Sequence, residues 1–384
     1  MTNLKIFSLM AVIILVLLLG CRKNDDAKNN ELTQEKIEHL PDSLEELKRK
    51  LVHSPSVQIG EVLQKVEVTL QSVYAEKTPE RFPNWIAFHS ILMYGDSAYA
   101  DYHSEKNADE NLKRIFAILQ NSNTKESGAF VVREGLPYPR HTGEYFTQEH
   151  HPNQFLHYFS MSGAPLEAKL KIDEKEYTFH DLLERALLET KTTDELAYTV
   201  LVYSHYLEPD KQWKNKFGET MRLATLLEKL LKTPEKTCLG THRLSALARV
   251  YAKRELKEDK ATNKLWTELE RQVLESIVRL KQLQREDGGF EPPGLTAGTP
   301  SQDNIDVYYT GHSLEWITFL DKEYCRDDWV VQAIEKLSDI VQLTYSPTFR
   351  NMDALGNEES HFDFDALSHA MSALRRWRDT VRAN

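Results

Sequence analysis

Six stretches of this chain are apolar nearly all round, and each opens on a histidine or acidic cluster. The openings are Trp85–His89, His150–His151, Asp194–Glu195, Cys238–His242, Tyr309–His312 and His361–Asp365. Between them lie six stretches, roughly 60–74, 108–120, 178–190, 218–232, 266–284 and 329–344, that are apolar on one side only. In 266–284, residues Trp266, Leu269, Val273, Ile277, Leu280 and Leu283 form one stripe with charges opposite, the mark of a half-exposed helix. Residues 195–207 have no polar side, so that helix is buried. Six alternating pairs of half-exposed and buried helices predict an all-α fold, an (α/α)6 toroid of six outer/inner pairs. Parallel inner helices would bring their polar openings to one rim of a central cavity.

Residues 121–149 and 285–309 are extra lengths between an outer helix and its inner partner, so both fall on that rim. Long loops on a rigid scaffold are where binding function concentrates. The second begins Gln284-Arg285-Glu286-Asp287-Gly288-Gly289-Phe290, and the first carries Ser127-Gly128-Ala129-Phe130 at the matching place. Glycine permits a positive φ at the turn and the phenylalanine returns to pack.

The N-terminus reads as a targeting segment. Lys5 precedes an apolar run from Ile6 to Leu19, which ends in Leu18-Leu19-Gly20-Cys21. About 14 apolar residues fall short of the ~20 that span a bilayer. The box resembles a bacterial lipoprotein signal, which implies cleavage before Cys21 and acylation of its thiol, palmitate included. The expected organisation is residues 1–20 as signal peptide, 21–40 as a lipidated cysteine with a polar tether, and 41–384 as one toroid domain. The expected location is the bacterial cell envelope, extracytoplasmic and held by lipid, in the outer membrane. A net charge of −11 argues against a nucleic-acid partner, because no basic surplus exists to displace phosphate counterions. Cys238 and Cys325 are placed at opposite rims, beyond the ~7 Å reach of a disulfide.

Three histidines, His151, His242 and His312, occupy equivalent places on three inner helices. Together with Cys238 they are candidate ligands for a divalent metal such as zinc. His151, His242, His312, Glu144 and Asp306 are the candidate catalytic groups, since carboxylates and imidazoles on one rim can exchange protons. Gln154, Arg243, Tyr309, Glu315 and Tyr145 are the candidate ligand-binding residues. Thr192-Thr193-Asp194-Glu195 has the form of a capping box, T-x-x-E, which would occupy Glu195 with helix initiation. No G-x-S-x-G nucleophile or glycine-rich phosphate loop is present.

The Q-x-x-D-G-G-F turn resembles the repeat of terpenoid cyclases and protein prenyltransferases, which implies an α/α toroid. The D-x-D-D acid of the triterpene cyclases is absent. His151-Pro152-Asn153-Gln154-Phe155-Leu156, Gly240-Thr241-His242-Arg243-Leu244 and Thr310-Gly311-His312-Ser313-Leu314-Glu315-Trp316 are similar to motifs of uncharacterised bacterial toroid proteins, H-P-x-Q-F-L, G-T-H-R-L and T-G-H-x-L-E-W. The expectation is a membrane-anchored lipoprotein acting by acid–base chemistry on a glycan or other small polar substrate. The alternatives are a non-catalytic binding or scaffold lipoprotein, and a metal-dependent or prenyltransferase/cyclase-like activity.

Overall fold

In a computed structural model, the described residues are 43–51, 53–76, 84–103, 112–113, 115–116, 129–140, 149–233, 240–253, 260–290, 302–352 and 358–383. The chain is mostly helical, with small two-stranded sheets. In order, the helices are α1 (Leu44–Lys50), α2 (Ile59–Tyr74), α3 (Asn84–Tyr94), α4 (Ala98–His103), α5 (Gln154–Met161), α6 (Phe179–Glu189) and α7 (Ala197–Tyr206). They continue with α8 (Leu223–Lys232), α9 (Thr241–Lys253), α10 (Lys260–Gln282), α11 (Gln302–Ile317), α12 (Lys322–Arg326), α13 (Asp328–Met352) and α14 (Glu358–Arg382). No described helix is long and apolar enough to cross a membrane. The signal and tether expected over 1–40 lie outside the described residues, as does Cys238; Cys325 is a buried free thiol.

Two kinds of helix separate by burial. All eight residues of α5 are buried, as are Ala197–Ser204 of α7 and Ile86–Met93 of α3. By contrast α8 buries Leu223, Leu226, Leu227, Leu230 and Leu231, a stripe at three-to-four spacing that seats one face. The buried helices pack in sequence: α3 on α5, α5 on α7, α7 on α9, α9 on α11, α11 on α14, and α14 back on α3. The half-exposed helices lie against them, α6 on α5, α8 on α7, α10 on α9, and α13 on α11 and α14.

Glycine sets one of these contacts. A β-carbon on Gly311 would stand 3.0 Å from the Ala370 backbone, so any larger residue would push α11 and α14 a few tenths of an ångström apart. That approach carries His312 of α11 and His369 of α14 to a ring separation of 4.1 Å.

Three hairpins interrupt the helical pattern that the sequence led us to expect. Strands β1 (Phe130–Arg133) and β2 (Leu136–Pro139) lie within the first long connection. β3 (Lys169–Ile172) pairs with β4 (Lys175–Thr178), and β5 (Gln212–Lys214) with β6 (Thr220–Arg222). Glu134 and Gly135, at φ 51° and 85°, make the tight turn whose twist suits a two-residue hairpin. Phe130 is fully buried and meets Phe88, which stacks on Phe155 at 3.6 Å. The 284–290 turn closes as its residues imply: Gly288 has φ 89°, Asp287 accepts from Gly289 N–H at 3.1 Å, and Phe290 is buried.

The second long connection is shorter than the sequence reading made it. α11 already begins at Gln302, so His312 stands in its third turn and not at its start. Likewise α14 begins at Glu358, ahead of the acidic cluster at its opening.

Candidate functional site

The N-terminal parts of α3, α7, α9 and α14, the third and fourth turns of α11, and the residues leading into α5 gather histidines and carboxylates at one place. His151 precedes α5, and its Nδ1 donates to Glu195 at 2.8 Å. The His151 ring lies 4.9 Å from that of His242 at the start of α9. His242 is 6.3 Å from His312 and 6.1 Å from His369, measured between ring centres. His369 Nδ1 donates to Glu315 at 2.6 Å, while its Nε2 lies 3.4 Å from Asp365. Asp365 also meets His89 Nε2 of α3 at 3.2 Å. His89, His242, His312 and His369 are all buried, and His151 is 11% exposed.

Tyrosines join the two sides. Tyr158 OH is 3.0 Å from His89 Nε2 and 3.5 Å from Tyr198 OH, and Tyr198 OH is 3.1 Å from His242 Nε2. Gln154 Nε2 donates to Tyr158 OH at 2.9 Å and so fixes that ring.

Two imidazole nitrogens within this cluster have no hydrogen-bond partner. His312 Nδ1 donates to the Tyr308 carbonyl at 3.0 Å, which leaves a bare lone pair on Nε2 in the neutral ring. That Nε2 is buried and unbonded, as is His242 Nδ1. An unsatisfied buried polar atom costs about 1–3 kcal/mol, so two in one cluster call for a purpose.

Charge is distributed unevenly. Burial opposes a proton on His369, but Glu315 and Asp365 outweigh it and raise this imidazole to about 10. Burial would also raise Glu315, yet the His369 charge and hydrogen bond hold it down to about 2. Asp365 is likewise held well below the usual carboxylate range, despite burial, by His369 and His89. Burial, together with the neighbouring histidine charges, pushes His242 well down and His312 to about 4, so both are neutral. Burial raises the Tyr158 phenol well above its ordinary value. Glu149 is raised to about 7 by burial and accepts from Phe155 N–H at 2.9 Å, at the first turn of α5.

Among the described residues, three overlapping sets could hold a metal: His242, His312 and His369; His89, Asp365 and His369; and His151, Glu195 and His242. In each, the ligand atoms lie within 4.8 Å of one another. Zinc bonds of ~2.1 Å put tetrahedral ligands ~3.4 Å apart, so such a set closes by around an ångström on binding.

Of the residues singled out from sequence, His151, His242, His312 and Glu315 stand in the cluster, and Gln154 supports it from behind Tyr158. Arg243 does not. Its guanidinium bonds the Leu230 and Leu231 carbonyls and Gln272, tying α8 and α10 to α9 as a helix clamp. Asp306 is held in a two-pronged ion pair with Arg285 at 2.8 and 3.0 Å, where it braces the 284–290 turn. Tyr309 is buried away from the imidazoles; the ring 4.2 Å from His312 belongs to Tyr308. Glu144, Tyr145 and Cys238 lie outside the described residues. The capping role expected of Glu195 is overturned: α7 has no side-chain cap, and the Glu195 carboxylate goes to His151. A real capping box stands at Thr178 and Asp181, on α6.

Sequence reasoning marked His89 and Asp365 only as parts of helix openings, without a role, and missed His369, Tyr158 and Tyr198 altogether. The usable signal was Asp365 and His369 four apart on an otherwise apolar helix, hence on one face. Comparison with protein-family models, with curated proteins and with solved structures finds no match for this chain.

Proposed function

We propose that the chain is an (α/α)6 toroid whose inner helices hold a divalent transition metal, zinc foremost, in a buried histidine–carboxylate centre. It serves there as a metal-dependent enzyme acting on a glycan or other small polar substrate. The toroid reading draws support from the closed circuit of packing through α3, α5, α7, α9, α11 and α14, with half-exposed helices outside it. One observation carries the metal: the His312 imidazole is oriented by the Tyr308 carbonyl so that an unprotonated Nε2 is buried with no partner. Metal-binding histidines characteristically donate their other nitrogen to a carbonyl or carboxylate. His151 with Glu195 and His369 with Glu315 repeat that arrangement. A bound metal would supply Lewis acidity and a water acidic enough to react near neutrality. The chain's own part is to exclude solvent and to move protons along His89, Tyr158, Tyr198 and His242.

The test is reconstitution. Chelator-treated protein dialysed against zinc, manganese, iron(II), cobalt or nickel should retain at least one of them stoichiometrically by elemental analysis. His312→Ala should bind that metal at least tenfold more weakly. Turnover of a panel of nitrophenyl glycosides and esters should disappear on chelation and return with the metal. Absence of stoichiometric binding for all five metals would overturn the reading.

The same proposal places the protein outside the cytoplasm, anchored to the envelope through Cys21. The box Leu18-Leu19-Gly20-Cys21 supports this. Intact-mass analysis of membrane fractions should then show a chain that lacks residues 1–20 and carries a diacyl or triacyl addition. An unmodified Cys21 in the soluble fraction would exclude the anchor.

A further inference from the structure

A second tier of side chains lies two helical turns beyond the histidines. Tyr198 is followed seven residues later by His205, His242 by Arg249, His312 by Phe319 and His369 by Arg376. Seven residues return a helix to nearly the same face about 10 Å further along. On α7, α9 and α14 the side chains facing the cluster are thus succeeded, on the same faces, by basic groups, and Phe319 joins them from the turn just past α11.

This layer borders a cavity of about 300 Å³ at the opposite end of the helices, lined among others by His205, Arg249, Arg375, Arg376 and Met161. The Arg249 and Arg376 guanidinium groups both lie over the Phe319 ring, at 5.4 and 3.5 Å, and each places Nη1 3.8 Å from Met161 Sδ. Like charges so near one another disfavour each other: burial, then Arg249 and Arg375, lower Arg376 to about 9. Arg375, only 5% exposed, joins them, and its Nε and Nη2 are buried without a partner. Its Nη1 alone is ion-paired, with the solvated carboxylates of Asp96 at 3.9 Å and Asp379 at 3.5 Å. The backbone is shaped to admit this guanidinium. Gly95 has φ 68°, and a β-carbon there would stand 1.6 Å from Arg375 Cζ.

Helix capping accounts for part of this layer and not for the rest. Arg376 Nη2 donates to the Thr318 carbonyl at the end of α11, and Lys253 Nζ to the Ser204 carbonyl near the end of α7, as cations at helix C-termini do. Arg375 caps nothing. Three guanidinium groups against two solvated carboxylates, Asp96 and Asp379, leave the cavity lining net positive in a chain of net charge −11.

We infer that this cavity binds a small doubly charged oxyanion, a phosphomonoester or inorganic phosphate, held by Arg375 and Arg249 with Arg376 behind them. Guanidinium forks match phosphate oxygens in pairs, and the volume leaves room for a small organic group on the phosphate. The site is separate from the histidine centre and does not depend on it.

Inorganic phosphate is the probe, titrated calorimetrically into chelator-treated full-length protein so that no metal contributes. Wild type should bind it saturably, with His312→Ala binding equally well. Arg375→Gln and Arg249→Gln should each weaken it at least tenfold. In phosphate-free chloride buffer, Arg375→Gln should melt within a few degrees of wild type, because it removes two buried unbonded nitrogens together with ion pairs to solvated carboxylates. Acetate at matched ionic strength should bind at least tenfold more weakly than phosphate. Should Arg375→Gln fail to fold, Arg249→Gln decides alone. Unsaturable phosphate binding by wild type, equal binding by wild type and a folded arginine variant, or equal affinity for acetate would each overturn the inference.

Discussion

His369→Ala should be among the most damaging single changes in the molecule, lowering unfolding free energy by about 3–5 kcal/mol. The reason is arithmetic of charge and not of volume. His369 lies 2.6 Å from a Glu315 oxygen and 3.4 Å from an Asp365 oxygen, and its proton is what keeps both carboxylates ionised inside the protein. Removal of the ring leaves two negative groups buried near each other, with His89 alone beside Asp365. One carboxyl must then take a proton or draw in water. Urea unfolding of chelator-treated protein measures the loss. The paired change His369→Gln with Glu315→Gln removes one positive and one negative group together, and should recover at least 1 kcal/mol of it. If His369→Ala unfolds within about 1 kcal/mol of wild type, the ion-pair description of this centre is wrong.

How much of this was legible beforehand depends on what each residue type reports. The helix pairs were readable because a one-sided apolar stripe and an all-round apolar run are different burial instructions, and α8 and α7 obey them. The hairpins were not. β5 and β6 are three residues each, with one buried residue in the pair, too little alternation to read as strands. Histidines next to helix openings were noticed because position singled them out. His369 lies within an apolar run, where a polar residue reads equally as a satisfied core group, and His89 was marked only as the end of a helix opening; the fold brings both to Asp365. Glu195 shows the converse: its local spacing spelled a capping box, but a histidine 44 residues away claimed the carboxylate. Arg243 and Asp306 sat beside the right motifs and face other partners, since neighbours in sequence on a helix point in different directions. The basic layer was written in the seven-residue spacing of Tyr198–His205, His242–Arg249 and His369–Arg376, but spacing alone does not tell which end of a helix faces a cavity.

Acid should destabilise the metal-free protein through its neutral histidines, and His312 is the cleanest reporter. Its imidazole titrates at about 4 in the folded chain, against 6.5 as an ordinary histidine, because burial and the His369 charge both oppose a second proton nearby. The unfolded chain therefore binds this proton first as pH falls. Stability owed to the neutral ring is complete above pH 6.5 and is lost as pH falls through 6.5 toward 4. At roughly 1.4 kcal/mol per pH unit, this amounts to about 2–3 kcal/mol by pH 4.5. His242 is depressed in the same direction and adds to the loss. Glu149 opposes it, because a carboxyl raised to about 7 gains its proton in the folded state first and so favours folding as pH falls from 7 to 4.5. His369, raised to about 10, lends stability that still grows as pH falls from 7 through 6.5 and is flat below, a slope opposite in sign to that of His312. The total curve mixes these effects, so the informative quantity is the difference between wild type and His312→Gln. Glutamine keeps a donor for the Tyr308 carbonyl and cannot titrate. Urea unfolding at half-unit steps from pH 7 to 4.5 should show the wild-type advantage over His312→Gln shrinking by about 2–3 kcal/mol across the range. A difference that stays constant with pH would mean that the His312 ring is not held neutral by its surroundings, and would remove the bare nitrogen on which the metal reading stands.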